Sequence, residues 1–184
     1  MKHFLLLIFA ISCIGTIPTT SACSGTPQEQ VVPANELVKR TKTIVLAKVE
    51  KAEILGKESI AVRYYFREIR SLKGDAPETF TIDGVSLAYG GSLDDFEHHY
   101  SDAFWKDVGG RSFHDTDCVI YPSFAVGGIF LIFVEAPFHR KSFECIIRTH
   151  GGEGVRDKWL TWVEEQTKTE QNGGGQPATR SESK

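Results

Sequence analysis

The chain of 184 residues lacks most of the signatures that mark enzymes and nucleic-acid binders. It has no surplus of charge: 21 basic residues against 24 acidic ones leave a net −3, which removes the electrostatic footing for binding nucleic acid. Gly-x-Ser-x-Gly does not occur, and no two histidines have the His-x-x-x-His spacing of a zinc-binding helix. The glycine pairs at 90–91, 109–110, 127–128 and 151–152 do not follow phosphate-loop patterns and suit turns and bulges instead. Internal repeats are absent. Beyond the first fourteen residues no apolar run is long enough to span a bilayer. Cysteine is sparse, with four in all.

What is present begins with a targeting pattern. Lys2 and His3 form a basic start, residues 4–14 (FLLLIFAISCI) an apolar core, and residues 15–22 (GTIPTTSA) a polar tail of small residues. That order predicts a secretory signal peptide over 1–22, with cleavage after Ala22 and a secreted or periplasmic product starting at Cys23. The alternative is an outer-membrane lipoprotein with a lipid anchor on Cys23, since Ser21-Ala22-Cys23 is a permissible context. Thr20 stands where leucine is preferred, however, and the apolar core stops well short of the cysteine. Cleavage removes one lysine and no acid, so the net charge moves from −3 to −4. Cys13 leaves with the signal. Cys23, Cys118 and Cys145 remain in an oxidising compartment, where any two can bridge. A lipidated Cys23 would leave Cys118–Cys145 as the natural pair.

Along the exported part, residues 23–33 (CSGTPQEQVVP) read as an extended arm, and Asn35 is placed to cap a short helix over 36–40. Residues 43–53 (TIVLAKVEKAE) are rich in β-branched residues and alternate as a strand does. In 58–72, Ile60, Val62, Tyr64, Phe66 and Glu68 share one face, with Ala61, Arg63, Tyr65, Arg67 and Ile69 on the other. A short strand over 79–82 ends at an Asp83-Gly84 turn; apolar runs at 128–135 and 143–149 add two more strands. Residues 156–165 predict a helix on which Trp159 and Trp162 share an apolar face with Val155, and 167–184 have the composition of a disordered tail. Between strands lies a long stretch, 87–117, without periodicity, which predicts a loop. The sum is a mostly β domain over 23–166: a small, closed or partly open OB-fold-like barrel with a short helix before it and one after it.

These pieces resemble the netrin-like, OB-fold domain of tissue inhibitors of metalloproteinases, in a bacterial-type single-domain form. The Cys23-Ser24 start, the segment from Asn35 to Lys42, the strand ending Ser71-Leu72-Lys73-Gly74, and Cys118 followed by Phe130-Leu131-Ile132 and Cys145 carry the likeness in their order. The resemblance implies a Cys23–Cys118 disulfide. It also implies inhibition of a zinc metalloprotease, with the α-amine and carbonyl of Cys23 chelating the protease's zinc and Ser24 entering its pocket. The chain departs from the family at Gly25, where Cys-x-Cys would put its second cysteine, and in its long loop.

The expectation is therefore a non-enzymatic, protein-binding module without cofactor. The competing enzyme reading rests on loop 94–117, where His98, His99 and Asp102, with His114, Asp115 and Asp117, offer metal-ligand types. Without a helical spacing they suit a hydrated polar loop better, so no metal site is assigned.

Overall fold

The computed structural model describes residues 31–57, 59–87, 96–109, 119–147 and 157–173. Among them, five antiparallel strands make one sheet: β1 (Ile44–Ile54), β2 (Ala61–Lys73), β3 (Thr79–Val85), β4 (Ile129–Phe133) and β5 (Phe143–Ile147), in the order β3-β2-β1-β4-β5. Helix α1 (Ala34–Arg40) precedes the sheet, α2 (Asp102–Lys106) lies between β3 and β4, and α3 (Lys158–Gly173) follows β5. The protein is thus mostly β, an OB-fold-like half-barrel with one helix before it and one after it.

The curl comes from the longest pair. Register shifts interrupt the β1–β2 ladder between Ile44 and Val45, Leu46 and Ala47, and Val49 and Lys51, and bulges of this kind bend and twist a strand. Because the strand period is two, β1 and β4 are divided between two cores. Val45, Ala47, Val49, Phe130 and Ile132 point into the barrel, where Val62, Tyr64 and Phe66 of β2 join them. Ile44, Leu46, Leu131 and Phe133 point outward, beneath Leu37 and Val38 of α1 and Trp159 and Val163 of α3. Burial on both faces explains why 128–135 is a continuous apolar run, whereas β2 alternates. Its outward residues Arg63 and Arg67 instead pair with Asp83 and Glu50 in exposed ion pairs.

Barrel closure is incomplete on the β3 side, where Val85 N donates to Pro122 O at 3.0 Å rather than to a strand. A Cβ on Gly84 would overlap that Pro122 carbonyl, so only glycine allows this approach. β3 accordingly runs through Asp83-Gly84 to Val85; the expected turn there is corrected.

Two helix boundaries also differ from expectation. Pro33 occupies the N-cap of α1, with no side-chain cap, and Asn35 lies inside the first turn. Proline's fixed φ suits the helix entry there. Helix α3 starts after Asp157 and continues to Gly173, although residues beyond Glu165 are polar. The helix is tied to the sheet by an Arg70–Glu164 ion pair at its middle and, in its later turns, by Lys73 Nζ, 2.8 Å from Glu170 Oε2. Thr167 is buried. No described helix is long and apolar enough to cross a membrane.

Candidate functional site

The described part of the loop, 96–109, is not a hydrated excursion. Phe96 inserts into the barrel core and Phe104 into the outer one. Phe104 and Trp105 meet Trp159 edge-on at 5.0 and 5.8 Å. These anchors carry a short 3-10 turn, His98–Tyr100, onto the sheet, and they bury His99.

His99 is the centre of a charged knot. Its Nδ1 lies 2.6 Å from Glu144 Oε2 and its Nε2 lies 2.8 Å from Asp157 Oδ2. Its backbone N–H also donates to Glu144 Oε2, at 3.2 Å. Glu144 comes from β5, on the face it shares with Ile146, and is fully buried. Asp157 stands at the entry to α3, where Oδ1 accepts the Leu160 N–H at 2.9 Å and caps the helix. The knot therefore joins loop, sheet and terminal helix.

Both ring nitrogens face carboxylate oxygens, and only the imidazolium can donate from both. Burial opposes that charge, but the hydrogen bonds to Asp157 and Glu144 outweigh it, and the His99 pKa is raised to about 9. A histidine used in this way cannot take a proton near neutrality. A catalytic triad leaves one ring nitrogen free to face a nucleophile; here Asp157 holds that position. Tyr100 adds a long hydrogen bond to Asp157 Oδ2, 3.3 Å.

The second buried histidine has the opposite character. His139 Nε2 lies 3.0 Å from Val32 O and 2.7 Å from Val108 O, while Nδ1 accepts the Lys141 N–H at 3.2 Å. That pattern requires the neutral tautomer protonated at Nε2. Burial holds its pKa below the ordinary value. Gly109, at φ +92, packs against this ring, where a Cβ would overlap it.

Beside Glu144 lies a cleft of about 210 Å³, with Ala103, Phe104, Asp107, Arg140 and Lys141 also in its wall. Lys141 is 3 % exposed. Its ammonium donates to Asp107 O at 2.5 Å and sits 4.5 Å from the Phe104 ring centroid. Burial presses its pKa downward.

Of the residues expected to act, Cys23, Ser24 and Cys118 lie outside the described residues, as do the signal segment, His114, Asp115 and Asp117. Cys145 is buried in the barrel core on β5. His98 lines the cleft and Asp102 opens α2, exposed to solvent. His99, expected in a hydrated loop, is instead locked between two acids. Glu144, Asp157, Lys141 and His139 were not foreseen. A lone acid inside the apolar Phe143–Ile147 strand, and an Asp immediately before a Trp-bearing helix, were the available signals. Among the described residues no group of three or more His, Cys, Asp or Glu side chains could hold a metal ion.

The sequence matches no protein-family model and no curated protein.

Proposed function

We propose that this chain is an exported, non-enzymatic protein-binding module of the netrin-like, OB-fold type, which engages a zinc metalloprotease through the arm that begins at Cys23. The observation that carries the reading is the anchoring of Val32. This residue is 4 % exposed, and its carbonyl accepts from the neutral, fully buried His139. Val32 is therefore fixed on the barrel close to Val108, and an arm beginning at Cys23 would be rooted there. An inhibitor that chelates with its own first residue needs such a root, because an unrooted terminus loses ordering entropy on binding. The α-amine of Cys23, with an ordinary pKa near about 8, yields its lone pair readily to a competing zinc ion. Ser24 would then enter the specificity pocket. A Cys23–Cys118 disulfide would fix the arm further.

The enzyme reading has less support. Both ring nitrogens of His99 are spent on Glu144 and Asp157, which removes it as a metal ligand for a site on loop 94–117.

The test assays the purified exported protein against a panel of zinc proteases before and after acetylation of its α-amine. Intact mass first verifies a start at Cys23 and reads any lipid there. Inhibition by the free amine alone supports the proposal. Equal potency after acetylation, or none in either form, rejects it.

A further inference from the structure

Two residues that line the cleft beside the His99 knot, Glu144 and Lys141, hold hydrogen-bonding capacity not used within the fold. Glu144 is fully buried; Oε2 takes both hydrogen bonds from His99, and Oε1 has no hydrogen-bond partner among the described residues. An orphaned, buried carboxylate oxygen is costly in any native fold, which marks the place where a donor belongs. Lys141, also buried, gives one hydrogen bond to Asp107 O and rests against the Phe104 ring. An ammonium has three N–H donors, so capacity remains there for an acceptor.

Charge decides what fits. The wall itself carries Lys141 and Arg140 against Glu144 and Asp107, and behind it the imidazolium of His99 faces Asp157, so charges of the two signs balance. A simple cation would gain from Glu144 but meet Lys141. A simple anion would gain from Lys141 but meet Glu144. A molecule carrying both signs gains from each and leaves the balance unchanged. Size narrows the choice further. The cleft's 210 Å³ lies below the roughly 300–1,000 Å³ of sites that take drug-sized ligands, and it is several times the ~30 Å³ of one water molecule.

We infer that this cleft binds a small free α-amino acid, its ammonium directed to Glu144 Oε1 and its carboxylate to Lys141 Nζ. The Phe104 ring offers an apolar wall for a short side chain. Neither Glu144 nor Lys141 takes part in the chelation proposed for Cys23, so the inference does not depend on the protease reading.

Isothermal titration calorimetry of the exported protein with glycine, alanine, serine, threonine and valine tests the inference directly. At least one should bind saturably at one site per chain. Its N-acetyl derivative, which lacks the ammonium, and its amide, which lacks the carboxylate, should each bind at least ~10-fold more weakly, since a charge-assisted hydrogen bond carries roughly that factor. Lys141→Met should weaken binding by a similar factor. Because Lys141 is buried and its replacement can disturb folding, Ala103→Trp provides a second variant. Ala103 is exposed at the cleft wall, so tryptophan there should block the cleft and abolish binding with circular dichroism unchanged. No heat from any of the five amino acids overturns the inference. So does undiminished affinity of either derivative, or undiminished binding by a folded Ala103→Trp protein.

Discussion

Two buried histidines hold the same loop segment in place and differ in charge. His99 sits between the carboxylates of Glu144 and Asp157 and is a cation. His139 sits between the carbonyls of Val32 and Val108 and is neutral. Burial is nearly the same for both, 1 % and 0 % exposed, so desolvation alone does not set the state. The partners do. A carbonyl offers a dipole, too little to hold a proton against burial, whereas two carboxylates offer full charges at hydrogen-bond distance. The same side chain serves as an ionic clasp in one place and a backbone tie in the other.

Removing the clasp should have the largest effect. His99→Leu keeps an apolar filler of moderate size but leaves two buried acids facing each other without a cation. Breaking a buried ion pair from one side costs about 3–5 kcal/mol, a large share of the roughly 5–15 kcal/mol that holds a domain folded. Urea unfolding of the variant should show its midpoint falling accordingly. A loss under about 1 kcal/mol would mean that the two acids are satisfied in some other way.

The pH profile should separate the two residues by sign. His99 binds its proton more tightly when folded, its pKa moving from 6.5 to about 9. Its contribution is therefore complete below pH 6.5 and declines as pH rises through about 9. At about 1.4 kcal/mol per unit, that amounts to something on the order of 3 kcal/mol. His139 is depressed below 6.5 by burial, opposed by its hydrogen bonds to Val32 and Val108. Its contribution is present above pH 6.5 and is lost as pH falls through its folded value. Urea midpoints measured from pH 5 to 10 should show an alkaline decline in the wild type. In His99→Leu that decline should vanish while an acid-side loss persists.

Crowding the neutral histidine is the next test. Gly109→Ala places a methyl group against the His139 ring and forces a side chain onto φ +92. Backbone strain of that kind costs about 1–3 kcal/mol. If His139 roots the leading arm, limited proteolysis should cut near Val31 sooner in this variant. The alkaline decline due to His99 should remain unchanged.

The legibility of these features in the sequence divides along the same line. Strands β1 and β2 followed from period-two patterns and β4 from an apolar run of strand length, all of it local information: Val62, Tyr64 and Phe66 alternate with Arg63, Tyr65 and Arg67 in the sequence as they do in space. The extension of β3 through Gly84 did not follow, because the reason is Pro122, distant in the chain. The end of α3 escaped for a similar cause, since Lys73 on β2 pairs with Glu170 in a stretch whose own composition is polar. The His99 knot was hidden most fully. Its three members lie at positions 99, 144 and 157 and meet only once Phe96, Phe104 and Trp105 have docked the loop. Histidine and acid types were visible in 94–117, but the acids that His99 uses come from elsewhere.

The smallest expected effect concerns Tyr100, and it sharpens the account of the clasp. Its hydroxyl is 3.3 Å from Asp157 Oδ2, beyond the usual ~2.7–2.8 Å for such bonds, and the residue is 67 % exposed. Water competes freely there, so Tyr100→Phe should cost no more than about 0.5 kcal/mol. The aromatic face against the His99 ring, 4.1 Å between centroids, survives the change. If His99 and the Leu160 N–H carry the satisfaction of Asp157, the alkaline decline in stability should keep its size and position in this variant. A shift of that decline to lower pH would transfer part of the clasp to Tyr100, and the cation between two acids would then be only one component of a wider network.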